Sequence, residues 1–217
     1  MPIPSSNWRF SPVAGAKTTW ESDVLKNTQM LLQELKGFAD PHHRIDRMVR
    51  NGQLVRLKRG LYSDTKLIFE PFLAGVLCAP SYLSFQSALS CYDLIPEAVP
   101  SWTSATLGKR RQKVYETPVG FFFYQDIPQA AFPWEVMLCT EFDVPFFLAS
   151  AEKALCDQLY TLKPLSNQKD LEYMLFEDMR IEEEDFLALN LKTLCELAPL
   201  YHKKNLDLLY RYTRRRA

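Results

Sequence analysis

The sequence is poor in the residues on which most catalytic and metal-binding motifs depend. It has seven glycines and three histidines in 217 residues, and it contains neither a glycine-rich phosphate loop nor a Gly-x-Ser-x-Gly nucleophile elbow. Its five cysteines are scattered without any C-x-x-C pair, which favours reduced, buried thiols over a zinc site. We therefore expect a protein that is not an enzyme, with no metal site and no cofactor.

Long apolar runs are also missing. The longest, residues 72–79, is far too short to cross a bilayer. The first ten residues, MPIPSSNWRF, lack the basic flank and apolar centre of a secretory signal, and residues 1–16 look like an aperiodic arm. These features predict a cytoplasmic protein that does not enter the membrane.

The chain has no net charge, because 26 Lys and Arg residues balance 26 Asp and Glu residues. Their distribution is uneven. Residues 1–66 carry eleven cationic side chains against six carboxylates, a charge of +5, so residues 67–217 carry −5. This asymmetry predicts two domains, 1–66 and 67–217, of which the first meets a polyanion.

Residues 1–66 have the pattern of two helices followed by a hairpin. Apolar residues at helical spacing predict a helix from Trp20 to Leu35. Asp40 and Pro41 are typical of a helix start, and Gly52 is typical of the position just past a helix end. These residues predict a second helix between them. Between residues 53 and 62, polar and apolar side chains alternate before a tight turn at 58–60, and apolar residues resume after it. This pattern predicts a hairpin with its apolar side chains turned inward. This order is typical of a winged helix-turn-helix that binds double-stranded DNA.

The cationic side chains of this segment are the predicted DNA contacts. Residues early in the second helix are expected to reach base edges, and the hairpin cations are expected to hold phosphates. The predicted DNA-binding residues are His42, His43, Arg44, Arg47, Arg50, Arg56, Lys58 and Arg59.

The rest of the chain predicts a mixed α/β domain with a helical C-terminus. Residues 71–79 and 81–96 are predicted helices, the second capped by Ser81 or Ser84, and a further helix follows Ser150. The chain is predicted to be helical again from Asp170. Strands are predicted at Ser104–Leu107, Val119–Tyr124, Glu135–Thr140 and Val144–Leu148. The predicted fold class is therefore α+β.

Glu152, Lys153 and Asp157 are the residues of this domain that most suggest chemistry. They share one predicted helix, where charged surface pairs are common, so a structural role is favoured. Two alternatives stay open. One is an enzyme acting on nucleic acid or nucleotides, centred on the 152–157 carboxylates. The other is a transcriptional regulator whose second domain binds a ligand or a partner.

Three segments, GQLVRLKRGLY, APSYLSFQSALSCYDLIPE and FLASAEKALCDQLY, occur in this order. Together they resemble the AbiEi family, transcriptional regulators of viral-defence systems that act as antitoxins of type IV toxin–antitoxin pairs. The resemblance covers about residues 20 to 180. It implies a winged helix-turn-helix that binds operator DNA and represses its own operon. It also implies an antitoxin domain opposing a nucleotidyltransferase-like toxin, with no stable complex between the two.

The last two of these segments contain the residues to which the resemblance assigns an antitoxin or structural role. They are Ser81, Tyr82, Ser84, Ser87, Ser150, Glu152, Lys153 and Asp157.

Overall fold

The computed structural model describes residues 25–97, 99–141 and 144–216. These residues form a mixed α+β fold with two β-sheets, which confirms the predicted class at this level. The predicted N-terminal arm and the first five residues of the predicted helix at 20–35 lie outside the described ranges. In the described part of the chain, no helix combines the length and the apolarity that a bilayer-spanning segment requires.

The first 39 described residues, 25–63, form a small unit that we call the N-terminal module. It contains a three-stranded antiparallel sheet in the order β1-β3-β2, with both helices between β1 and β2. Its elements are β1 (Leu25–Asn27), α1 (Thr28–Glu34), α2 (Pro41–Arg50), β2 (Val55–Lys58) and β3 (Leu61–Ser63).

Side-chain caps fix the helix boundaries of this module. The Asn27 side chain accepts a hydrogen bond from the N–H of Met30 and starts α1. The prediction of a helix through residues 25–27 was therefore wrong, since this segment pairs with β3 as a strand. The predicted second helix is confirmed: Asp40 caps it, Pro41 is its first residue, and Gly52, with φ of +71°, follows its end.

The predicted hairpin is also confirmed. Strands β2 and β3 are joined by Arg59 and Gly60, and Gly60 has a φ of +82°, which a residue with a Cβ adopts only under strain. The alternation along β2 buries Val55 and Leu57 and leaves Arg56 exposed. The five predicted inward residues are all buried: Leu54, Val55, Leu57, Leu61 and Tyr62.

A six-stranded sheet forms the centre of the rest of the chain, in the order β6-β7-β5-β4-β9-β8. All four predicted strands are confirmed, although β6 was missed. Residues 81–83 were predicted as helix and are instead the interior strand β4, because they pair with both β5 and β9. The strands are β4 (Ser81–Leu83), β5 (Trp102–Thr106), β6 (Lys113–Thr117), β7 (Gly120–Asp126), β8 (Val136–Glu141) and β9 (Val144–Ala149).

Helices cover both faces of this sheet. The hydroxyl of Tyr124 donates to the carbonyl of Ala74 in α3 on one face. Tyr82 is on the opposite face and donates to Asp157 in α5. The predicted helical C-terminus is confirmed, with a π-helical turn at Met174–Asp178 and a 3-10 turn at Ala198–Tyr201. The helices are α3 (Glu70–Leu77), α4 (Phe85–Cys91), α5 (Ala151–Thr161), α6 (Gln168–Tyr173), α7 (Glu183–Ala188), α8 (Leu191–Leu197) and α9 (Lys204–Arg214).

The sheet of the N-terminal module contributes to two hydrophobic cores. Leu54 and Tyr62 pack with Leu31 of α1 and Ile45 of α2 in a small core. Other buried residues of the same sheet, among them Leu57, belong to the large core of the following α/β part. The module is thus held against the rest of the protein through its sheet, and its two helices lie on the far side. The boundary at residue 66 stays a prediction.

Candidate functional site

The N-terminal module exposes a row of cations on its second helix and its hairpin. Arg47 and Arg50 lie on the outer surface of α2, and Arg56 and Arg59 lie in the hairpin. None of these four guanidinium groups forms an ion pair with another residue of the described ranges. His42 and His43 are exposed in the first turn of α2. We call these six residues the basic face.

Two other charged side chains of the module, Lys26 and Asp40, already have partners within the protein. Lys26 forms ion pairs with Glu34 and Asp64, both at 3.1 Å, and the hydrogen bond to Asp64, followed by that to Glu34, raises the Lys26 pKa. The Asp40 carboxylate accepts the N–H of His43 at the start of α2. Residues 25–66 contain nine cations and four carboxylates, so the positive charge that remains is concentrated on exposed side chains.

Lys58 does not belong to the basic face, although the sequence suggested a phosphate contact there. Its ammonium donates to the carbonyl of Leu77 at 2.7 Å and to that of Val76 at 3.4 Å. These carbonyls end α3, where the helix dipole favours a cation. The ammonium is also 5.8 Å from the centre of the Tyr115 ring in β6. Lys58 therefore connects the hairpin to the α/β part.

Arg44, also predicted to contact DNA, stacks on an aromatic ring of the module. Its guanidinium carbon lies 5.0 Å from the centre of the Phe38 ring, and its side chain is only partly exposed. Arginine commonly stacks on an aromatic face in this way. This contact packs Arg44 against the segment between α1 and α2, and its predicted contact with DNA stays a prediction.

A buried polar cluster occupies the space between the six-stranded sheet and α5. Asp157 is at its centre. One carboxylate oxygen, Oδ1, accepts from the Lys153 ammonium at 2.8 Å and from the Tyr201 hydroxyl at 2.6 Å. The other, Oδ2, accepts from the Tyr82 hydroxyl at 3.0 Å and from the Ser84 hydroxyl at 2.6 Å. We call these five residues the Asp157 cluster.

Every member of the Asp157 cluster is buried, and the charged pair has no solvent exposure. Burial lowers the Lys153 pKa, an effect that the adjacent Asp157 carboxylate opposes. Burial also raises the pKa of Tyr82 and of Tyr201, and the Asp157 charge adds to this rise. Both phenols therefore stay protonated and donate to the carboxylate. With four donors on one buried carboxylate, the cluster is a satisfied structural network.

Sequence reasoning identified four of the five cluster residues through the family resemblance and missed Tyr201. The i, i+4 spacing of Lys153 and Asp157 on one helix was a signal for their pairing. Tyr201 lies in the 3-10 turn that follows α8, and nothing in its sequence context indicates a partner more than 40 residues earlier.

The remaining residues of the two motifs have separate contacts. Ser150 caps α5 by accepting the N–H of Lys153, as predicted. The Ser87 hydroxyl accepts the N–H of Thr103 at 2.7 Å and so links α4 to β5. Ser81 Oγ is buried without a hydrogen-bond partner in the described part of the chain.

The Glu152 and Asp157 carboxylates do not form a common site. Glu152 accepts the N–H of Asn190 at 2.8 Å, immediately before α8, whereas Asp157 is enclosed in its cluster. Paired carboxylates that exchange protons with a substrate must both reach that substrate. The geometry therefore lends no support to an enzyme centred on these two residues.

All five cysteines are unpaired, and three of them, Cys78, Cys139 and Cys156, are buried. Cys91 is partly buried, and burial raises its pKa to about 12. A thiol that stays protonated at neutral pH is a weak nucleophile, so Cys91 packs as a small hydrophobic residue.

Comparisons with known proteins do not assign the chain to a family. A scan against protein-family models and a search of curated proteins both give no match. The binding properties of the protein have to be inferred from its residues and their geometry.

Proposed function

We propose that this protein binds double-stranded DNA through the basic face and acts as a transcriptional repressor of its own operon. The observation that carries the proposal is the set of exposed arginines on α2 and the β2–β3 hairpin that form no ion pair within the described ranges. The order strand, helix, helix, hairpin, with the sheet order β1-β3-β2, supports a winged helix-turn-helix. In this arrangement α2 is the recognition helix and the hairpin is the wing.

The residues of the basic face divide into two roles. His42, His43 and Arg47 are on the helix that enters the major groove, where a guanidinium can pair with guanine. Arg56 and Arg59 contact phosphates on either side, fixing the position of the module without reading sequence. Arg50, in the last turn of α2, adds a further cation near the backbone.

We also propose that the α/β part acts as the antitoxin of a nucleotidyltransferase-like toxin, without forming a stable complex with it. The support is the resemblance of residues 79–97 and 147–160 to the AbiEi family. These two segments supply Tyr82, Ser84, Lys153 and Asp157, four of the five members of one buried cluster. Two of the three segments that carry the resemblance are therefore parts of a single structural unit.

A regulator with a ligand-binding second part is the alternative that one specific observation favours. A groove of about 790 Å³ runs between α3 and the β8–β9 strands. Its lining is almost entirely apolar and includes Phe72, Val76, Phe132, Leu138 and Phe147. Grooves of this size and character bind small apolar molecules in many proteins.

The decisive test of the DNA-binding proposal is fluorescence anisotropy with duplex DNA from upstream of the operon. We expect the Arg56→Ala/Arg59→Ala protein to lose affinity and to show a salt slope smaller by about 2, because each lost phosphate contact removes about 1. The matched control is Lys169→Ala/Lys192→Ala, which removes two exposed lysines of the C-terminal helices. Equal affinities of the wild type and the arginine variant would contradict the proposal.

The antitoxin proposal is tested by coexpression with the gene adjacent in the operon. We expect the neighbouring gene to be toxic alone and harmless together with this protein. The Arg56→Ala/Arg59→Ala protein, expressed from an unrelated promoter, should still rescue growth, because it retains the α/β part. Failure of the wild-type protein to rescue would remove the antitoxin role and leave DNA binding to be judged separately.

A further inference from the structure

Two adjoining cavities lie on the face of the six-stranded sheet that is covered by α5. Their volumes are about 180 Å³ and about 320 Å³, and they share Gln112, Gln125 and Thr161 in their walls. We call the two together the polar cleft. None of its lining residues belongs to the N-terminal module, the Asp157 cluster or the apolar groove.

The larger cavity is cationic. Arg110, Arg111 and Lys203 line it, with Asp126 as its one carboxylate among the described lining residues. One oxygen of that carboxylate, Oδ2, accepts the backbone N–H of Arg110 at 2.6 Å, and the other, Oδ1, is buried without a hydrogen-bond partner in the described ranges. The Lys203 ammonium lies 4.8 Å from the centre of the Tyr160 ring, which also lines the cavity. The cavity thus brings together two arginines and a lysine, and planar guanidinium groups bind phosphate oxygens with paired hydrogen bonds.

The smaller cavity presents amides next to an aromatic ring. Four glutamine side chains line it: Gln86, Gln112, Gln125 and Gln158. Phe123 shares the wall and is partly exposed, and Phe121, two residues earlier on the same face of β7, is 50% exposed. A carboxamide has a donor and an acceptor side by side, which match the edge of a nucleobase, and an aromatic ring offers a stacking surface.

We propose that the polar cleft binds a nucleoside phosphate. The base lies in the smaller cavity against Phe123 and the glutamine amides, and the phosphate groups contact Arg110, Arg111 and Lys203 in the larger one. A free nucleotide and the terminal nucleotide of a single strand have this chemistry in common. The site is independent of the proposed DNA-binding surface, because the two share no residue.

Isothermal titration of the full chain tests this proposal with four probes: ATP, adenosine, inorganic triphosphate and a short 5′-phosphorylated single-stranded oligonucleotide. We expect ATP or the oligonucleotide to bind, and adenosine and triphosphate to bind at least about tenfold more weakly, because each lacks half of the contacts. The stronger of ATP and the oligonucleotide identifies the natural source of the nucleotide.

Three variants separate the parts of the cleft. Arg111→Glu should weaken ATP binding by about tenfold or more, and Lys203→Gln provides a second, milder change of the same subsite. Gln86→Ala, which changes a residue that lines the smaller cavity and not the larger one, should weaken ATP binding and leave triphosphate binding unchanged. The matched control is Lys192→Glu, which makes the same change of charge on the exposed surface of α8.

Two results would overturn the proposal. One is the absence of binding by ATP and the oligonucleotide at millimolar concentration to protein that circular dichroism shows to be folded. The other is equal loss of binding in Arg111→Glu and Lys192→Glu, which indicates attraction to overall charge. The Arg56→Ala/Arg59→Ala protein should bind ATP normally, so failure of this proposal and failure of the DNA-binding proposal are distinguishable.

Discussion

The N-terminal module and the α/β part use charge in opposite ways. In the module, Arg56 and Arg59 are exposed and have no ion-pair partner in the described residues. In the α/β part, Lys153 and Asp157 are completely buried and hydrogen-bonded within the Asp157 cluster. Exposed, unpaired cations cost little stability and remain available to a polyanion. A buried pair is unavailable to any ligand, but the fold depends on it because each charge would be costly alone.

The hairpin residues 56–59 contain both exposed cations and a cation that is bound within the protein. Arg56 and Arg59 extend into solvent, whereas the Lys58 ammonium hydrogen-bonds to the end of α3. One short hairpin therefore contains both cations that we propose to bind DNA and a cation that supports the fold. A basic cluster in a sequence does not by itself show how many of its charges are free.

The largest effect is expected where a buried charge is left alone. Asp157→Asn removes the negative partner of Lys153, and we expect the free energy of unfolding to fall by about 3–5 kcal/mol. Urea denaturation followed by circular dichroism measures this loss. The control is Asp185→Asn in the exposed first turn of α7, where the change should be within about 0.5 kcal/mol. A loss below about 1 kcal/mol in Asp157→Asn would show that the pair is not needed by the fold.

High pH should weaken the same cluster. The pKa values of Tyr82 and Tyr201 are raised above the unfolded value of about 10, so both phenols stay protonated in the folded protein while the unfolded chain ionises. Stability from these groups is complete below pH 10 and falls above it, by about 1.4 kcal/mol per tyrosine for each pH unit. Urea midpoints between pH 8 and 11 measure the fall. A matched Tyr82→Phe protein should show a shallower decline, and an identical slope would contradict the assignment.

Lys58→Ala and Arg56→Ala should have opposite consequences. Lys58→Ala removes two hydrogen bonds to α3 and should lower the free energy of unfolding by about 1–2 kcal/mol. Its effect on DNA affinity should be small. Arg56→Ala should change stability by less than about 0.5 kcal/mol and reduce the salt slope of DNA binding by about 1. If Lys58→Ala weakened DNA binding as much as Arg56→Ala, the distinction between the two cations would fail.

The features that were predicted from the sequence are those fixed by neighbouring residues. The ends of α2 are set by three residues close to it in sequence, Asp40, Pro41 and Gly52. The start of α5 is set in the same way by Ser150. Residues 81–83 were misassigned because three residues are too few to show an alternation, and only their pairing with β5 and β9 makes them a strand. Pattern reasoning cannot detect a partner that is distant in the chain.

The candidate site shows the same limit. The Lys58 side chain follows the basic pattern of its strand, yet the carbonyls that hold it belong to residues 76 and 77. The hydroxyl of Tyr201 reaches Asp157 only because α8 and the 3-10 turn fold back over α5. Which charges are exposed and which are enclosed is decided by tertiary packing, and the linear pattern does not contain that information.

The smallest effect is expected at Glu152, five residues before Asp157 on the same helix. Glu152 accepts one N–H, that of Asn190, and the side-chain amide oxygen introduced by Glu152→Gln can accept the same bond. Because no buried charge loses a partner, the free energy of unfolding should change by less than about 0.5 kcal/mol, measured by urea denaturation beside Asp157→Asn. Growth rescue in the coexpression assay should also be unchanged. Loss of rescue in a stable Glu152→Gln protein would mean that this carboxylate acts in the function itself, and the enzyme alternative would then be favoured over a structural role.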